Sequence, residues 1–306
     1  MLSRRALILF ILIFVCLAAC SRSDAPAKKN TVNEENFLLI GIIPEENIFR
    51  QLDRYEPIAQ YLSEKIGTRV KLIIIPVYGN IVNNFDSAGM DGAFLESLTY
   101  ALAHTMLGVE VLCRPEGLDG TSTYHGLIVT RKDSGIKTVQ DMKGKRFAFV
   151  DRASTSGYLL PLVVFKEKGI RSYKSFLGEI YYTGTYEDAI YDVLNKKADI
   201  GAAKNTVFER LAEKDSRIKN ELSILERSPD FPENGFAVRK NLDDVLKKKI
   251  KAALIGMNND PAGAAILAKF GARRFIETTD DDYKPIYEYA RELGLDLAHY
   301  NFENAE

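Results

Sequence analysis

The feature that most constrains the fold is an alternation of short apolar runs with amphipathic segments, which begins at Phe37. Residues 38–43 are apolar, end at Pro44 and are typical of a buried strand. Residues 55–62 then carry apolar side chains at helical spacing before Gly67. Because the alternation of strand and helix continues along the chain, the sequence predicts an α/β protein built from βαβ units around largely parallel sheets.

A polar turn at residues 131–135 divides this pattern into two series. We expect first-series strands at 70–75, 92–95, 109–112 and 127–130, and second-series strands at 147–150, 179–182 and 199–203. After a short strand at 235–238, the patterns at 242–258, 262–270 and 283–293 are all helical, and helices alone cannot form a third α/β core. We therefore expect two α/β lobes, residues 37–130 with 236–306 and residues 131–235, joined by crossings near Thr130 and Gly235. This topology predicts a hinged cleft.

The N-terminal residues 1–19 have the pattern of a secretory signal peptide. Arg4 and Arg5 precede an apolar stretch of 14 residues, 6–19, which is short for a membrane span. The stretch ends in Leu-Ala-Ala before Cys20, and this resembles the cleavage box of bacterial lipoproteins, whose cysteine is acylated. Residues 20–36 are polar and predict a tether. We expect a lipoprotein of the cell envelope, held at a membrane through Cys20 and facing the periplasm.

Charge and side-chain chemistry argue against several classes of function. The chain has 41 Lys and Arg against 42 Asp and Glu, which leaves no basic field for nucleic acid. Its three His and three Cys have no zinc-site spacing, so we expect no metal and no cofactor. Cys113 lies among apolar residues and predicts a buried thiol. No nucleophile elbow or close carboxylate cluster indicates an enzyme.

Three successive hydroxyl residues, Ser154, Thr155 and Ser156, precede Gly157 where the strand 147–150 gives way to a helix. A helix N-terminus presents unpaired N–H groups and the positive end of a dipole, so hydroxyl and backbone donors can surround an oxyanion there. Gly157 would let backbone and ligand approach closely. One hydroxyl would suffice as an N-cap, and three with a glycine favour an anion site.

This stretch, followed by Pro161 and preceded by residues 143–151, resembles the phosphate, phosphite and phosphonate-binding proteins of ABC importers. The resemblance extends across the mature chain. It implies a class II periplasmic-binding fold, whose two lobes close on a small oxyanion, and delivery of that ligand to an ABC permease in the inner membrane. It also implies a monomer without catalytic activity. The alternatives are a ligand-sensing subunit for a membrane kinase or chemoreceptor, and a non-phosphorus ligand.

The resemblance also assigns site residues. The anion-holding positions that match the family are Ser154, Thr155 and Ser156 in the second lobe and Tyr78 in the first. Two positions differ: Leu95, followed by Glu96, stands where a tyrosine is expected, and Tyr186 stands where a histidine is expected. Tyr186 can still donate a hydrogen bond. Glu96 lies either in the pocket, where it needs a cation or a proton beside an anionic ligand, or outside it as a helix N-terminal acid.

Other cleft candidates follow from topology, because ligands of open α/β sheets lie beyond the carboxyl ends of the strands. Asn205 follows the strand 199–203 in this way, and Glu45 and Glu46 follow the first strand, although we expect these two carboxylates to be solvated. Tyr124 precedes the crossing strand and serves either binding or packing.

Overall fold

The computed structural model describes residues 33–304, so the predicted signal peptide, Cys20 and most of the predicted tether lie outside it. The strands are β1 (Asn33–Ile42), β2 (Thr68–Ile74), β3 (Gly92–Leu95), β4 (Glu110–Gly117), β5 (Thr123–Arg131), β6 (Arg146–Phe149), β7 (Glu179–Tyr182), β8 (Ile200–Lys204), β9 (Leu222–Pro232), β10 (Gly235–Val238) and β11 (Ala272–Glu277). The helices are α1 (Ile48–Ile66), α2 (Asn80–Ser87), α3 (Ser97–Leu107), α4 (Leu160–Glu167), α5 (Tyr173–Phe176), α6 (Tyr186–Leu194), α7 (Asn205–Lys214), α8 (Arg217–Glu221), α9 (Asp244–Ile255), α10 (Pro261–Phe270) and α11 (Lys284–Glu292).

Two mixed sheets organise these elements. The first lobe contains a six-stranded sheet in the order β11-β4-β10-β3-β1-β2, and the second contains a five-stranded sheet in the order β7-β6-β8-β5-β9. β1 is parallel to β2 and β3, and β6 is parallel to β7 and β8. β5, β10 and β11 pair antiparallel with their neighbours. The expectation of largely parallel sheets was therefore wrong, because strands that follow a crossing enter each sheet in the reverse direction.

The strand β5 belongs to the second sheet, where it pairs with β8 and β9. The first crossing therefore lies between β4 and β5, before the expected position near Thr130. The second lies at Glu233 and Asn234, next to the expected Gly235. The late region also contains a strand that we expected to be absent: β11 pairs with β4, burying Ala272 and Phe275 while Arg273 and Arg274 face solvent. These charged residues conceal the strand pattern in the sequence.

Capping residues mark both ends of α1, the helix that packs on the first sheet. α1 begins at an Asn47 side chain that accepts hydrogen bonds from Phe49 N and Arg50 N, and it ends at Gly67, whose φ of 73° is left-handed. The apolar face of the helix, including Ile58 and Leu62, packs on the strands. The free thiol of Cys113 is buried in the same core, as expected, and burial raises its pKa.

A hydrophobic cluster continues from the first lobe into the second. It joins Tyr78 and Leu98 of the first lobe to Val150, Tyr186 and others of the second. Polar contacts cross between the lobes at the start of α3, where Thr99 Oγ1 donates to Ala153 O at 2.9 Å. The lobes therefore meet through both apolar and hydrogen-bonded contacts around this helix end.

The C-terminal segment, residues 300–304, contacts both lobes. In the second lobe, Tyr300 OH donates to Arg152 O at 2.8 Å, and Asn304 Nδ2 donates to Asp151 Oδ2 at 2.9 Å. In the first lobe, the ring of Phe302 lies so close to Gly79 that a Cβ there would overlap it. The segment is thus a third connection between the lobes, formed by side chains after the last helix.

Candidate functional site

The predicted anion loop lies between β6 and α4. Ser154 starts a π-helical turn, Thr155–Leu159, that continues directly into α4, and its Oγ accepts a hydrogen bond from Gly157 N at 3.0 Å. Ser154 therefore is an N-cap as well as a candidate ligand group. Gly157 has a different role from the one expected, because a Cβ at this position would overlap the side chain of Val150. Its hydrogen side chain lets the turn pack against Val150, directly after β6.

The carboxylate of Glu96 occupies the donors of this loop. Its Oε2 accepts from Thr155 N at 2.9 Å and from Ser154 Oγ at 3.1 Å, and its Oε1 accepts from the hydroxyl of Tyr186. Glu96 is fully buried, and its side chain does not cap its own helix, α3. Burial raises the pKa of this carboxyl to about 7, against the opposing effects of Lys204 and the Tyr186 hydrogen bond. Glu96 thus contacts the predicted anion loop and does not serve as a cap of its own helix.

Three buried tyrosines surround this carboxylate. Tyr186 begins α6, and its hydroxyl also lies 2.7 Å from Ser154 Oγ. Tyr78 of the first lobe packs edge-on against Tyr186, with ring centroids 6.4 Å apart. Within residues 33–304, the hydroxyl of Tyr78 is buried without a hydrogen-bond partner, and that of Tyr124 is buried near Ser97 and Thr155. Burial raises the pKa of all three phenols well above the usual value, so they are neutral hydrogen-bond donors.

A buried lysine that the sequence reasoning missed lies beside these tyrosines. Lys204 Nζ is 2.9 Å from Glu45 Oε1 and from Asn234 Oδ1, and it also pairs with Glu233. It lies 4.3 Å from the ring centroid of Tyr124. Its position directly after the apolar strand 200–203, at a strand's carboxyl end, was the available signal. Burial would lower its pKa, but the neighbouring carboxylates raise the value above normal.

The expectation that Glu45 and Glu46 are solvated was wrong. Their exposed fractions are 4% and 1%, because each is paired with basic side chains. Glu46 lies 2.6 Å from Arg54 and 3.4 Å from Arg210. Burial would raise the pKa of Glu45, but Lys204 and Arg210 outweigh it and lower the value to about 2. Both carboxylates therefore belong to an ion network at the edge of the cleft.

Two predicted site residues lie apart from the Glu96 carboxylate contacts. Asn205 lines a neighbouring cavity of about 530 Å³, together with Glu45 and Lys204, and its Oδ1 accepts from His125 N at 2.9 Å. Ser156 is buried with no hydrogen-bond partner among the described residues. Its Cα and Cβ pack toward Gly126 of β5. The structure thus brings together Ser154, Thr155, Tyr186 and Glu96 by hydrogen bonds, with Tyr78 and Tyr124 around them.

The described residues contain neither a metal site nor a membrane-spanning helix. No group of three or more His, Cys, Asp or Glu side chains in this range has an arrangement that would hold a metal ion. Within the same range, every helix falls short of the length and apolar character that a membrane crossing requires.

Comparisons with known proteins agree with this architecture. Residues 40–283 match the family described as ABC transporter, phosphonate, periplasmic substrate-binding protein. The chain is 26% identical over 290 residues to the phosphonates-binding periplasmic protein of Escherichia coli, covering 93% of this chain and 84% of that protein. It is 24% identical over 269 residues to a probable phosphite-binding ABC transporter protein of Prochlorococcus marinus, covering 84% and 90%.

Solved structures show the same fold. A binding protein component of an ABC phosphonate transporter from Pseudomonas aeruginosa superposes with a TM-score of 0.79 at 24% identity, covering 85% of this chain and 87% of that one. A Prochlorococcus marinus protein in complex with methylphosphonate gives a TM-score of 0.76 at 21% identity, covering 85% and 98%. An ancestral arginine-binding protein gives 0.54. These likenesses confirm the class II periplasmic-binding fold, and the match across residues 40–283 places the chain in the family of periplasmic substrate-binding proteins of phosphonate ABC transporters.

Proposed function

We propose that this chain is the solute-binding lipoprotein of an ABC importer and captures a small phosphorus oxyanion, a phosphonate, phosphite or phosphate, by closure of its lobes. One observation carries the ligand assignment: the loop at 154–157, together with Tyr186, already holds the Glu96 carboxyl group through a backbone N–H and two hydroxyls. Donors placed for a carboxylate suit the oxygens of a phosphorus oxyanion equally well.

The position of the loop supports this assignment. The π-helical turn and α4 form a continuous helical segment from Thr155 to Glu167, and the loop lies at its N-terminus. The backbone dipole there favours negative charge. In the proposed mechanism, the oxyanion first binds this second-lobe loop. Tyr78 and the start of α3 then approach from the first lobe and exclude water, which strengthens each charge-assisted hydrogen bond.

The names of the relatives support the same ligand class. The Escherichia coli protein is named as binding phosphonates, the Prochlorococcus marinus protein as binding phosphite, and a Mycolicibacterium smegmatis protein that is 24% identical over 246 residues as importing phosphate. The shared chemistry of these ligands is a tetrahedral phosphorus oxyanion. We propose the same class for this chain, with no cofactor and no catalytic step.

The test removes the two side-chain donors. Ser154→Ala and Tyr186→Phe are each expected to weaken binding of methylphosphonate, phosphite or phosphate by about 1.5–3 kcal/mol, the typical contribution of a hydrogen bond to a charged group. Isothermal titration calorimetry on the full chain in mild detergent measures this change. Tyr158→Phe is the matched control, because its hydroxyl pairs with Tyr173 instead. If the unmodified chain binds none of these anions between pH 5.5 and 8, the ligand assignment is wrong.

A sensing role is the second candidate. Over 161 residues, 49% of this chain and 26% of that protein, the chain is 31% identical to the tetrathionate sensor histidine kinase of Salmonella typhimurium. The same lobes would then transmit a bound-ligand signal to a membrane kinase. Crosslinking in cells distinguishes the two roles, because import predicts an ABC permease subunit as the captured protein and sensing predicts a kinase.

A further inference from the structure

The hydrogen bonds to the Glu96 carboxylate are of the kind that a bound oxyanion would accept. The two oxygens of Glu96 accept hydrogen bonds from Thr155 N, Ser154 Oγ and Tyr186 OH, all of which belong to the second lobe. Glu96 itself belongs to the first lobe, where it immediately precedes α3. Although Glu96 stands at the N-cap position of α3, its side chain makes no hydrogen bond to that helix. The carboxylate reaches across the cleft.

The charge of Glu96 has no ion-pair partner among residues 33–304. The nearest basic group that influences it is Lys204, but the hydrogen bonds of that ammonium go to Glu45, Glu233 and Asn234. A buried structural carboxylate is usually paired with a cation, as Glu45 and Glu46 are here. The groups that contact Glu96 directly are uncharged hydrogen-bond donors, one backbone N–H and two hydroxyls.

The site also contains a donor that the carboxylate leaves unused. The hydroxyl of Tyr78 is fully buried and has no hydrogen-bond partner in the described chain, although its ring packs on Tyr186. A planar carboxylate has two oxygens, whereas a tetrahedral phosphorus oxyanion presents three or four. The Tyr78 hydroxyl is therefore a donor that the Glu96 carboxylate does not engage and that a further oxygen of a tetrahedral oxyanion could engage.

The two residues that follow Glu96 also form hydrogen bonds with the second lobe. Leu98 N donates to Thr155 Oγ1 at 2.8 Å, and Ser97 Oγ donates to Pro232 O of the second lobe at 2.9 Å. Both contacts are buried, and both come from residues that directly follow Glu96 in the chain. Occupation of the loop by Glu96 is thus coupled to contact between the lobes.

We propose that Glu96 is an internal ligand of the loop at 154–157: its carboxylate takes the place of the solute oxyanion, holds the lobes together without solute, and must be displaced before a solute oxyanion binds. The inference rests on the proposed function, because it identifies this loop as the solute site. In this proposal Glu96 sets the solute concentration that binding requires and the charge of the ligands that bind, since its carboxylate and a second anion cannot occupy the same donors.

The experiment compares the full chain, purified in mild detergent, with Glu96→Ala and Glu96→Gln. Sodium formate, a free carboxylate of similar head group, is the first probe. We expect millimolar formate to raise the thermal midpoint of Glu96→Ala and to leave the unmodified chain unchanged. We also expect Glu96→Ala to bind methylphosphonate at least tenfold more tightly than the unmodified chain, with Glu96→Gln between them, at pH 7.5 and constant ionic strength.

The matched control is Glu110→Gln, which removes a half-exposed carboxylate paired with Lys247 in the first lobe. Glu110 lies near the opposite end of β10 from Glu96. It pairs with Val238, the last residue of β10, whereas Leu95, next to Glu96, pairs with Gly235, the first residue. This variant is expected to behave like the unmodified chain toward both probes. Circular dichroism follows unfolding, since the chain has no Trp.

Hydrogen exchange supplies a second measurement that does not depend on affinity. The amide of Thr155 donates to Glu96, so a peptide covering residues 151–159 should be protected in the ligand-free chain, exchange faster in Glu96→Ala and be protected again by formate. The proposal is overturned if formate affects neither measurement in Glu96→Ala, or if the unmodified chain binds methylphosphonate as tightly as that variant. If formate protects Glu96→Ala but no phosphorus oxyanion binds any form, the internal ligand stands and the proposed solute is wrong.

Discussion

Two buried carboxylates, Glu96 and Glu45, show how environment sets protonation. Glu45 contacts Lys204, and the basic groups around it lower its pKa to about 2 despite burial. Glu96 has hydrogen-bond donors but no cation in contact, so burial dominates and raises its pKa to about 7. The same side chain is therefore a fixed anion at one position and a titrating group at the other.

This difference predicts a pH dependence of stability. Glu96 has a higher pKa in the folded chain than the 4.5 of an exposed carboxyl, so its stabilising contribution is present below about pH 4.5 and is lost as pH rises through 7. The loss is on the order of 3 kcal/mol. We expect the free energy of unfolding of the unmodified chain to fall relative to that of Glu96→Gln between pH 4.5 and 8, as measured by urea denaturation.

The groups around Glu96 do not titrate in this interval. Those that face it are Tyr186, Tyr78, Tyr124, Lys204 and Glu45. The pKa values of the tyrosines and the lysine are raised above normal, and that of Glu45 is lowered to about 2. Parallel pH curves for the two proteins would show that Glu96 remains ionised throughout, contrary to the expectation.

The sequence identified several side chains of the candidate site but not their hydrogen-bond partners. The hydroxyls at a helix start were identifiable from residue type and position, and Tyr124 from its place before the crossing strand. Tyr78 and Tyr186 were identified only through the family resemblance. The reach of Glu96 across the cleft depends on how the lobes pack, and no local pattern encodes that. Burial of Lys204 requires acceptors from three separate segments, Glu45, Glu233 and Asn234, so it could not be inferred from its neighbours in sequence.

Among the elements, strands were more predictable than their sheet. Most apolar runs were located correctly, but a run such as β5 carries no sign of which sheet it joins, because that is decided by pairing with β8 and β9. The edge strand β11 was missed since only Ala272 and Phe275 are buried in it. Helix ends were clearer: Gly67 ends α1 as its sequence position indicates.

The C-terminal segment at 300–304 is expected to contribute to the stability of the fold. Its contacts with Arg152 and Asp151 hold the start of the anion loop. Replacing Tyr300 by Phe together with Asn304 by Ala removes three hydrogen bonds, and we expect a loss of about 2–3 kcal/mol in the free energy of unfolding, at about 1 kcal/mol each. Urea denaturation measures it.

His299→Ala is the control for this segment. His299 is 85% exposed and pairs only locally, with Asp296. Equal stability of the double variant and the control would mean that the segment does not contribute to holding the loop.

For the whole molecule, the two-lobe arrangement followed from the sequence, since two α/β series joined by two crossings leave few other topologies. The class II fold is confirmed by its structural relatives. Membrane attachment remains a prediction from residues 1–20, which lie outside the described structure.

Attachment is tested at Cys20. We expect Cys20→Ser to move the protein from the membrane fraction to the soluble fraction of cells, because the acyl chains would be lost. Fractionation and immunoblotting measure the distribution. Cys113→Ser, at a buried thiol, is the control and should stay membrane-bound. Retention of Cys20→Ser in the membrane would rule out the proposed lipid anchor.

The contact between Glu96 and the anion loop also has a consequence for ATP hydrolysis by an importer. A permease that recognises its binding protein by the relative position of the lobes would meet the same lobe arrangement with and without solute. Solute-free protein would then dock and stimulate ATP hydrolysis without transport. The rate of that unproductive hydrolysis would depend on how firmly one side chain is held, and it should fall when Glu96 is replaced by Ala.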